Sequence, residues 1–310
     1  MNILLWHVHG SWTTAFVQGA HNYFVPVTPN RGPDGRGRAQ TWEWPSSVIE
    51  VTPESAREQH IDVVLCQRPN ELTELVEAWT GRRPGPDLPA VYLEHSCPQG
   101  RIADMRHVAA DRSDLLLVHV THFNRLFWDA GSTETAVIEH GIVDPGYRYT
   151  GELEHAAVVI NEPLRRGRVT GTDLLERLGR TCRIDLFGMA TEPLGGADAP
   201  QGELHDVMAR RRVYLHPIRW TSLGLSLLEA MHLGMPVVTL QTTEVAEAVP
   251  SEAGVCSNDL SVIEDALVGF MRDPEEARRR GKAGRAAALD RYGLERFLTD
   301  WDHLLERVAG

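Results

Sequence analysis

Cysteine is scarce in this chain. Cys66, Cys97, Cys182 and Cys256 are widely separated, and no Cys-x-x-Cys pair occurs. A zinc site built from cysteine pairs is thereby excluded, and scattered thiols read as free side chains in a reducing cytoplasm. No apolar run is long enough to span a bilayer. The opening Met-Asn-Ile-Leu-Leu-Trp-His has no basic region, so it reads as a first strand and not as a signal peptide. Lysine is rare and the net charge is −12, which argues against nucleic acid as main partner and against an anionic membrane surface. A small local basic site for phosphates stays compatible with that charge. No Gly-x-Gly-x-x-Gly follows a predicted strand and no Walker A sequence occurs, which disfavours NAD-linked oxidoreductase and P-loop chemistry. Internal repeats and low-complexity tails are also lacking.

What remains is a soluble composition, 42% hydrophobic and 24% charged, in 310 residues, enough for two domains. Short apolar runs alternate with helical patterns, which predicts α/β units around parallel sheets. In the first half strands are expected at 3–8, 63–66, 91–94, 115–119 and 136–138, with helices at 71–80 and 122–130. A Gly-, Arg- and Pro-rich loop at 28–45 reads as a mobile segment or binding loop, or equally as a solvated excursion. Residues 141–155 carry turn signals and read as a linker. The second half restarts with strands at 157–160, 184–187, 213–216 and 237–240 and helices at 173–178 and 204–211. Charged helices follow from about 260 to 291. The last helix, 294–308, places Phe297, Trp301, Leu304 and Leu305 on one face. Two such sheet domains leave a cleft at the carboxyl ends of their strands, where ligands of open α/β folds bind.

Four segments could carry chemistry. His7-Val-His9-Gly10-Ser11-Trp12 follows the first strand, where Gly10 lets a diphosphate or sugar approach the backbone. His7 and His9 share a strand face, but no third metal ligand follows from spacing. Glu94-His95 ends a central strand, where the histidine could bond a donor sugar or an acceptor, or serve only the strand end. In the segment beginning at Asn161, Arg165, Arg166 and Arg168 precede Thr170-Gly171 and a helix. Guanidinium forks in that place suit a diphosphate, with a solvated basic loop as the alternative. His216-Pro217-Ile-Arg219-Trp220 ends another strand and could line the same cleft.

The most informative stretch is 222–238, Ser-Leu-Gly-Leu-Ser-Leu-Leu-Glu-Ala-Met-His-Leu-Gly-Met-Pro-Val-Val. Gly224 lets the backbone come close to a ligand, the amides of Leu225 and Ser226 sit near a helix start, and Glu229 lies a turn further in. Ser226 and Glu229 also fit a capping box, in which both would merely close the helix end.

Taken in order, these segments resemble retaining glycosyltransferases of the GT-B fold, specifically the GT4-like family, the glycosyl transferases group 1. Leu-Leu-Glu229-Ala-Met-x-x-Gly-x-Pro-Val-Val is nearly that family's signature, and Glu139-His140-Gly141-Ile-Val-Asp144 is similar to its element before the linker. The resemblance implies two Rossmann-like domains facing across a cleft: an acceptor-side domain over 1–148, a donor domain over 149–290, and a helix over 291–310 crossing back to the first. It implies a metal-independent, cytoplasmic hexosyltransferase that takes a UDP- or GDP-sugar and passes the sugar to a small-molecule, lipid-linked or glycan hydroxyl. No cofactor beyond that co-substrate is expected. Glu229 would bind the ribose. Arg165, Arg166, Arg168, Gly224, Leu225 and Ser226 would hold the diphosphate. His9, Ser11, His216, Arg219 and Thr221 would line the sugar and acceptor cleft, with His95, Arg166 and Gly10 nearest the reaction. Two departures stand out. Thr221 occupies the place of the first Glu of the family's Glu-x7-Glu, and Thr170 that of its clamp lysine. The rival functions are a non-catalytic nucleotide-sugar binding protein and a UDP-sugar epimerase or hydrolase of the same fold.

Overall fold

Short runs of aliphatic and β-branched residues bounded by turns become parallel strands covered on both faces, as all-parallel sheets require. The computed structural model describes residues 1–310, the side chain of Gln201 excepted. The chain divides into two compact units, Met1–Val143 with Leu294–Gly310, and Asp144–Gly293.

The first unit holds seven strands: β1 Asn2–Leu5, β2 Asn22–Pro26, β3 Val48–Val51, β4 Val63–Cys66, β5 Ala90–Glu94, β6 Leu116–His119 and β7 Thr135–Val137. They form one parallel sheet in the order β3-β2-β1-β4-β5-β6-β7. The order reverses between β1 and β4, so the carboxyl ends of those strands flank a topological switch point. Helices α1 Gly10–Phe16, α2 Pro53–Glu58, α3 Val76–Thr80 and α4 His122–Phe127 connect them. A π-helical turn, Glu71–Leu75, precedes α3, and it carries the buried carboxylate of Glu71. That carboxylate accepts from the Gln67 amide and from Arg68 Nε, both at 2.6 Å.

The second unit holds β8 Leu153–Val159, β9 Arg183–Phe187, β10 Arg211–His216, β11 Val237–Thr239 and β12 Gly254–Cys256 in the order β12-β11-β10-β8-β9, again parallel. Its helices are α5 Pro163–Arg166, α6 Leu175–Leu178, α7 Gln201–Ala209, α8 Leu225–Leu233, α9 Val245–Ala248, α10 Leu260–Arg272 and α11 Pro274–Tyr292. Helix α8 packs tightly on α11: a Cβ at Gly281 would run into the Gly234 carbonyl. The last helix, α12 Leu294–Ala309, belongs to the first unit. There Phe297, Trp301, Leu304 and Leu305 are buried, and Trp301 meets Trp12 and Phe16 edge-on with centroids at 5.7 and 5.1 Å.

Several details differ from expectation. β8 begins at Leu153, inside the stretch read as linker, because Leu153 to His155 extend the ladder to β9 and β10. β2, β3, β12 and α2 were not anticipated. Each is short, and β2 ends in proline. The 28–45 loop is exposed in part but anchored: Arg38 donates to the carbonyls of Trp44, Pro45 and Val48, and the Trp6 indole donates to Asp34 O at 3.1 Å. No helix among the described residues is long and apolar enough to cross a membrane.

Candidate functional site

In the second unit, the loops that follow β8 and β10 are joined at the carboxyl edge of the sheet. The amides of Arg219 and Trp220 both donate to Val169 O, at 2.9 and 3.2 Å. Gly171, in the left-handed region at φ +74°, lies so close to Pro217 that a Cβ would strike its carbonyl oxygen. The arginine-rich loop and the His216-Pro217 strand end are therefore one assembly. Within it most of the arginines are committed. Arg165 pairs with Glu162 at 2.5 Å, and Arg168 with Asp173 at 3.0 Å. Arg219 grips both oxygens of Asp173 at 2.5 and 2.9 Å. Arg166 differs: its guanidinium has no hydrogen bond or ion pair among the described residues. Partial burial, and then the neighbouring Arg165 charge, lower its pKa. A half-desolvated cation without a counter-ion is costly to hold unless an anion joins it.

Helix α8 begins beside this loop. Its N-cap is Gly224, and no side chain caps it. The capping box that the sequence permits does not form. Ser226 Oγ is instead 2.8 Å from the Tyr214 hydroxyl, and Glu229, buried, lies 3.3 Å from His205 Nε2 on α7. The first-turn amides of Leu225 and Ser226 thus stand at the positive end of the helix dipole with no capping side chain. Under Gly224 lies His216, where a Cβ on the glycine would meet the ring at 2.5 Å. Burial pushes the His216 pKa down to about 3, so the ring is neutral. Its Nε2 is buried without a hydrogen-bond partner. Thr221 is half-buried in the same loop, which Glu244 ties down by a hydrogen bond from its backbone amide to Ser222 O at 3.4 Å.

In the first unit, the switch point gathers His9, His95 and Trp12. The His9 and His95 rings are 4.1 Å apart, and Trp12 meets His95 edge-on at 5.2 Å. Burial is the main cause that holds His9 down to about 4 and His140 to about 3, and it keeps His95 well below the usual histidine range. The tautomer of His95 follows from its neighbours. Gln67 donates its amide nitrogen to Trp6 O at 2.9 Å, and a carbonyl can only accept. The Gln67 oxygen, 2.9 Å from His95 Nε2, must then accept in turn. The proton of neutral His95 is therefore on Nε2, and Nδ1 carries the lone pair. Gln67 was not foreseen from sequence, because a lone glutamine two residues before a proline carries no signal. Gly10 opens α1 next to Ser11. A Cβ there would come no nearer than 3.4 Å to Trp42, so nothing within the chain demands glycine at this position. His7 donates from Nδ1 to Gly37 O at 3.1 Å, which commits it to the loop. Among the described residues no three His, Cys, Asp or Glu side chains converge so as to hold a metal ion.

This order of strands, loops and helix starts agrees with the comparisons. Residues 196–287 match the family model of the glycosyl transferases group 1. Sucrose-phosphate synthase from Thermosynechococcus elongatus superposes with a TM-score of 0.71 at 14% identity, over 99% of this chain and 98% of its own. The fold is GT-B. The GT-B protein HepE from Anabaena, solved with UDP-glucose, gives a TM-score of 0.73 at 13% identity over 99% of this chain and 100% of its own. TarM from S. aureus, solved with UDP, gives 0.61 at 11% identity over 78% of this chain and 55% of its own. No curated protein matches the chain in sequence. The matched segment begins after the arginine-rich loop and contains all of the Gly224 to Val238 stretch, so the GT-B resemblance and the family match meet on α8.

Proposed function

We propose that this GT-B chain is a glycosyltransferase that moves a sugar from a nucleotide-diphosphate sugar to an acceptor hydroxyl, with retention and without a metal. The observation that carries the reading is Arg166, an uncompensated, half-buried cation beside an uncapped helix start and an unpartnered histidine nitrogen. A leaving diphosphate would satisfy all three, and preorganised donors of this kind stabilise charge as it develops. Arg165, Arg168 and Arg219, already paired with Glu162 and Asp173, shape the loop around Arg166. Glu229 is the ribose-binding carboxylate in this reading, and Thr221, Leu225 and Ser226 lie along the donor. The GT-B neighbour HepE holds UDP-glucose, which favours UDP over GDP. The first unit supplies the acceptor side through His9, Gly10, Ser11 and His95, in a cytoplasmic enzyme.

Nucleotide binding tests this directly. At 100 times its dissociation constant, UDP should stabilise the wild-type chain by about 2.7 kcal/mol, without magnesium. Arg166→Ala should weaken UDP binding by about 1.5–3 kcal/mol, the worth of a charge-assisted hydrogen bond, while the unliganded melting temperature holds or rises. Equal stabilisation of both proteins by UDP would remove Arg166 from the site. No response to UDP, GDP or their sugars would end the transferase reading. One observation favours a second reading: Thr221 stands where the family has a glutamate, which suits a protein that binds a nucleotide sugar without turning it over. Incubation with UDP-sugars separates the cases. Transfer needs an acceptor, a hydrolase releases free sugar without one, and a binding protein leaves the donor intact.

A further inference from the structure

Helices α7 and α8 each lead into a strand, α7 through Arg210 into β10 and α8 through residues 234–236 into β11. Those two strands pair side by side and parallel. Both connections step the same way along the sheet, from β9 past β8 to β10 and then on to β11. Right-handed crossovers of that kind put both helices on one face, running in one direction. Each helix has nine residues, and His205 and Glu229 are the fifth of each, so the two stand level. Side chains on a helix lean toward its N-terminus, which here is the carboxyl edge of the sheet. The topology thus brings one histidine and one carboxylate together toward the edge where the nucleotide is proposed to bind. Of the other ionisable side chains of α7, Glu203 is exposed and Asp206 pairs with Arg148 at 2.9 Å.

His205 Nε2 lies 3.3 Å from Glu229 Oε2, and the two side chains are 13% and 7% exposed. An ionised carboxylate can only accept, so the histidine donates. The bond stands where a capping box could have formed: Glu229 is turned to α7, and no side chain caps its own helix. A carboxylate offers about four lone-pair positions, and this bond uses one. The residual exposure keeps the pair within reach of a ligand. We propose that His205 is a positioning residue for the nucleotide: its bond fixes the Glu229 carboxylate where it meets the hydroxyls of a ribose, and so makes the second unit select ribonucleotides over deoxyribonucleotides. This rests on the reading of Glu229 as the ribose-binding carboxylate. A covered carboxylate that faces a missing hydroxyl is left uncompensated, which is why such a site rejects the deoxy form. Without the bond from His205 the carboxylate is no longer held in that place, and the two forms become nearly alike.

The test is calorimetric titration of the whole chain with UDP, 2′-deoxy-UDP and 3′-deoxy-UDP. At least one deoxy analogue should bind the wild type about tenfold or more weakly than UDP. His205→Ala should shrink that gap to about threefold or less, by weakening UDP while the analogue is nearly unaffected. His205→Gln, which keeps an N–H donor, should retain part of the gap. Asp206→Ala, from the same helix, should retain all of it. Glu229→Gln should abolish it, and His205→Ala added to that variant should cost nothing more, as expected of two residues that act as a unit. A gap that Glu229→Gln removes and His205→Ala leaves intact would overturn the proposal, while the ribose reading of Glu229 stands. Equal weakening of all three ligands in His205→Ala would reduce the bond to a tie between two helices, and would overturn it too. No gap in the wild type would take Glu229 away from the ribose and His205 with it. Failure of UDP itself to bind would end the transferase reading, and this inference along with it.

Discussion

Three residues of the second unit other than glycine take left-handed backbone angles, Glu162 at φ 53°, Ala190 at φ 57° and Thr243 at φ 51°. They follow the carboxyl ends of β8, β9 and β11 within a few residues, on the edge where the nucleotide is proposed to bind. Left-handed angles cost a β-branched residue most, and such strain persists only where neighbours impose it. At Thr243 they do: Thr242 Oγ1 donates to Ile218 O at 2.9 Å, and the Glu244 amide donates to Ser222 O. Thr243→Gly should therefore raise stability by roughly 1 kcal/mol, the strain relieved less the entropy glycine loses. The midpoint of urea unfolding reads this, and an unchanged or lower midpoint would show that Thr243 is unstrained. At this scale sequence is legible in part. Residue type and spacing single out Arg166, His95, His216 and Glu229, since each stands at or near a strand end or helix start. What they cannot reveal is which of several adjacent arginines lacks a partner, because Glu162 and Asp173 could each have paired with any of them. The tautomer of His95 is equally hidden, since it depends on Gln67 from a different strand end.

Among the elements, α12 owes its place to aromatic contacts. Trp301 is 1% exposed and packs against Trp12, Phe16 and Phe297, and Gly141 leaves space for Phe297 that a Cβ would fill. Trp301→Ala should cost about 3–5 kcal/mol, as removal of a large buried aromatic does. Denaturant unfolding of the variant measures it, and a loss below about 1 kcal/mol would mean that α12 contributes little to the first unit. The helical face of α12 and the long apolar strands are legible because their periods are regular. β2, β3 and β12 are not, since three to five residues give no period and their stability comes from neighbouring strands. The 28–45 loop misleads for a related reason. Its glycines and arginines look like solvated chain, yet its order comes from carbonyls and carboxylates distant in sequence, Val48 and Glu50 among them.

Across the whole molecule, buried histidines are unequally divided between the two units, and this gives the units different responses to acid. His9, His119 and His140 of the first unit are held down to about 4, 3 and 3, mainly by burial, and His95 lies well below its ordinary value. In the second unit His216 is held at about 3 and His232 is lowered. These pKa values are lower folded than unfolded, so the unfolded chain takes up protons first. The stability is complete above pH 6.5 and is lost as pH falls toward the folded values, at about 1.4 kcal/mol per pH unit for each such histidine. Between pH 6.5 and 4.5 the first unit should therefore lose more stability than the second. Tryptophan fluorescence follows the first unit, which holds every tryptophan but Trp220. Its unfolding midpoint in urea should drop steeply over that range, and a flat profile would count against neutral buried histidines. The two-unit α/β plan itself was readable from the alternation of strands and helices, because that pattern is local. The return of α12 to the first unit has a consequence for biosynthesis. Trp12 and Phe16 leave the ribosome before the second unit, but the aromatic partners that bury them, Phe297 and Trp301, are made only after it. The second unit has all its residues by Gly293 and can fold as it emerges, whereas the first must wait, with apolar surface uncovered, until α12 is made. In this chain the half that is translated first is the half that matures last.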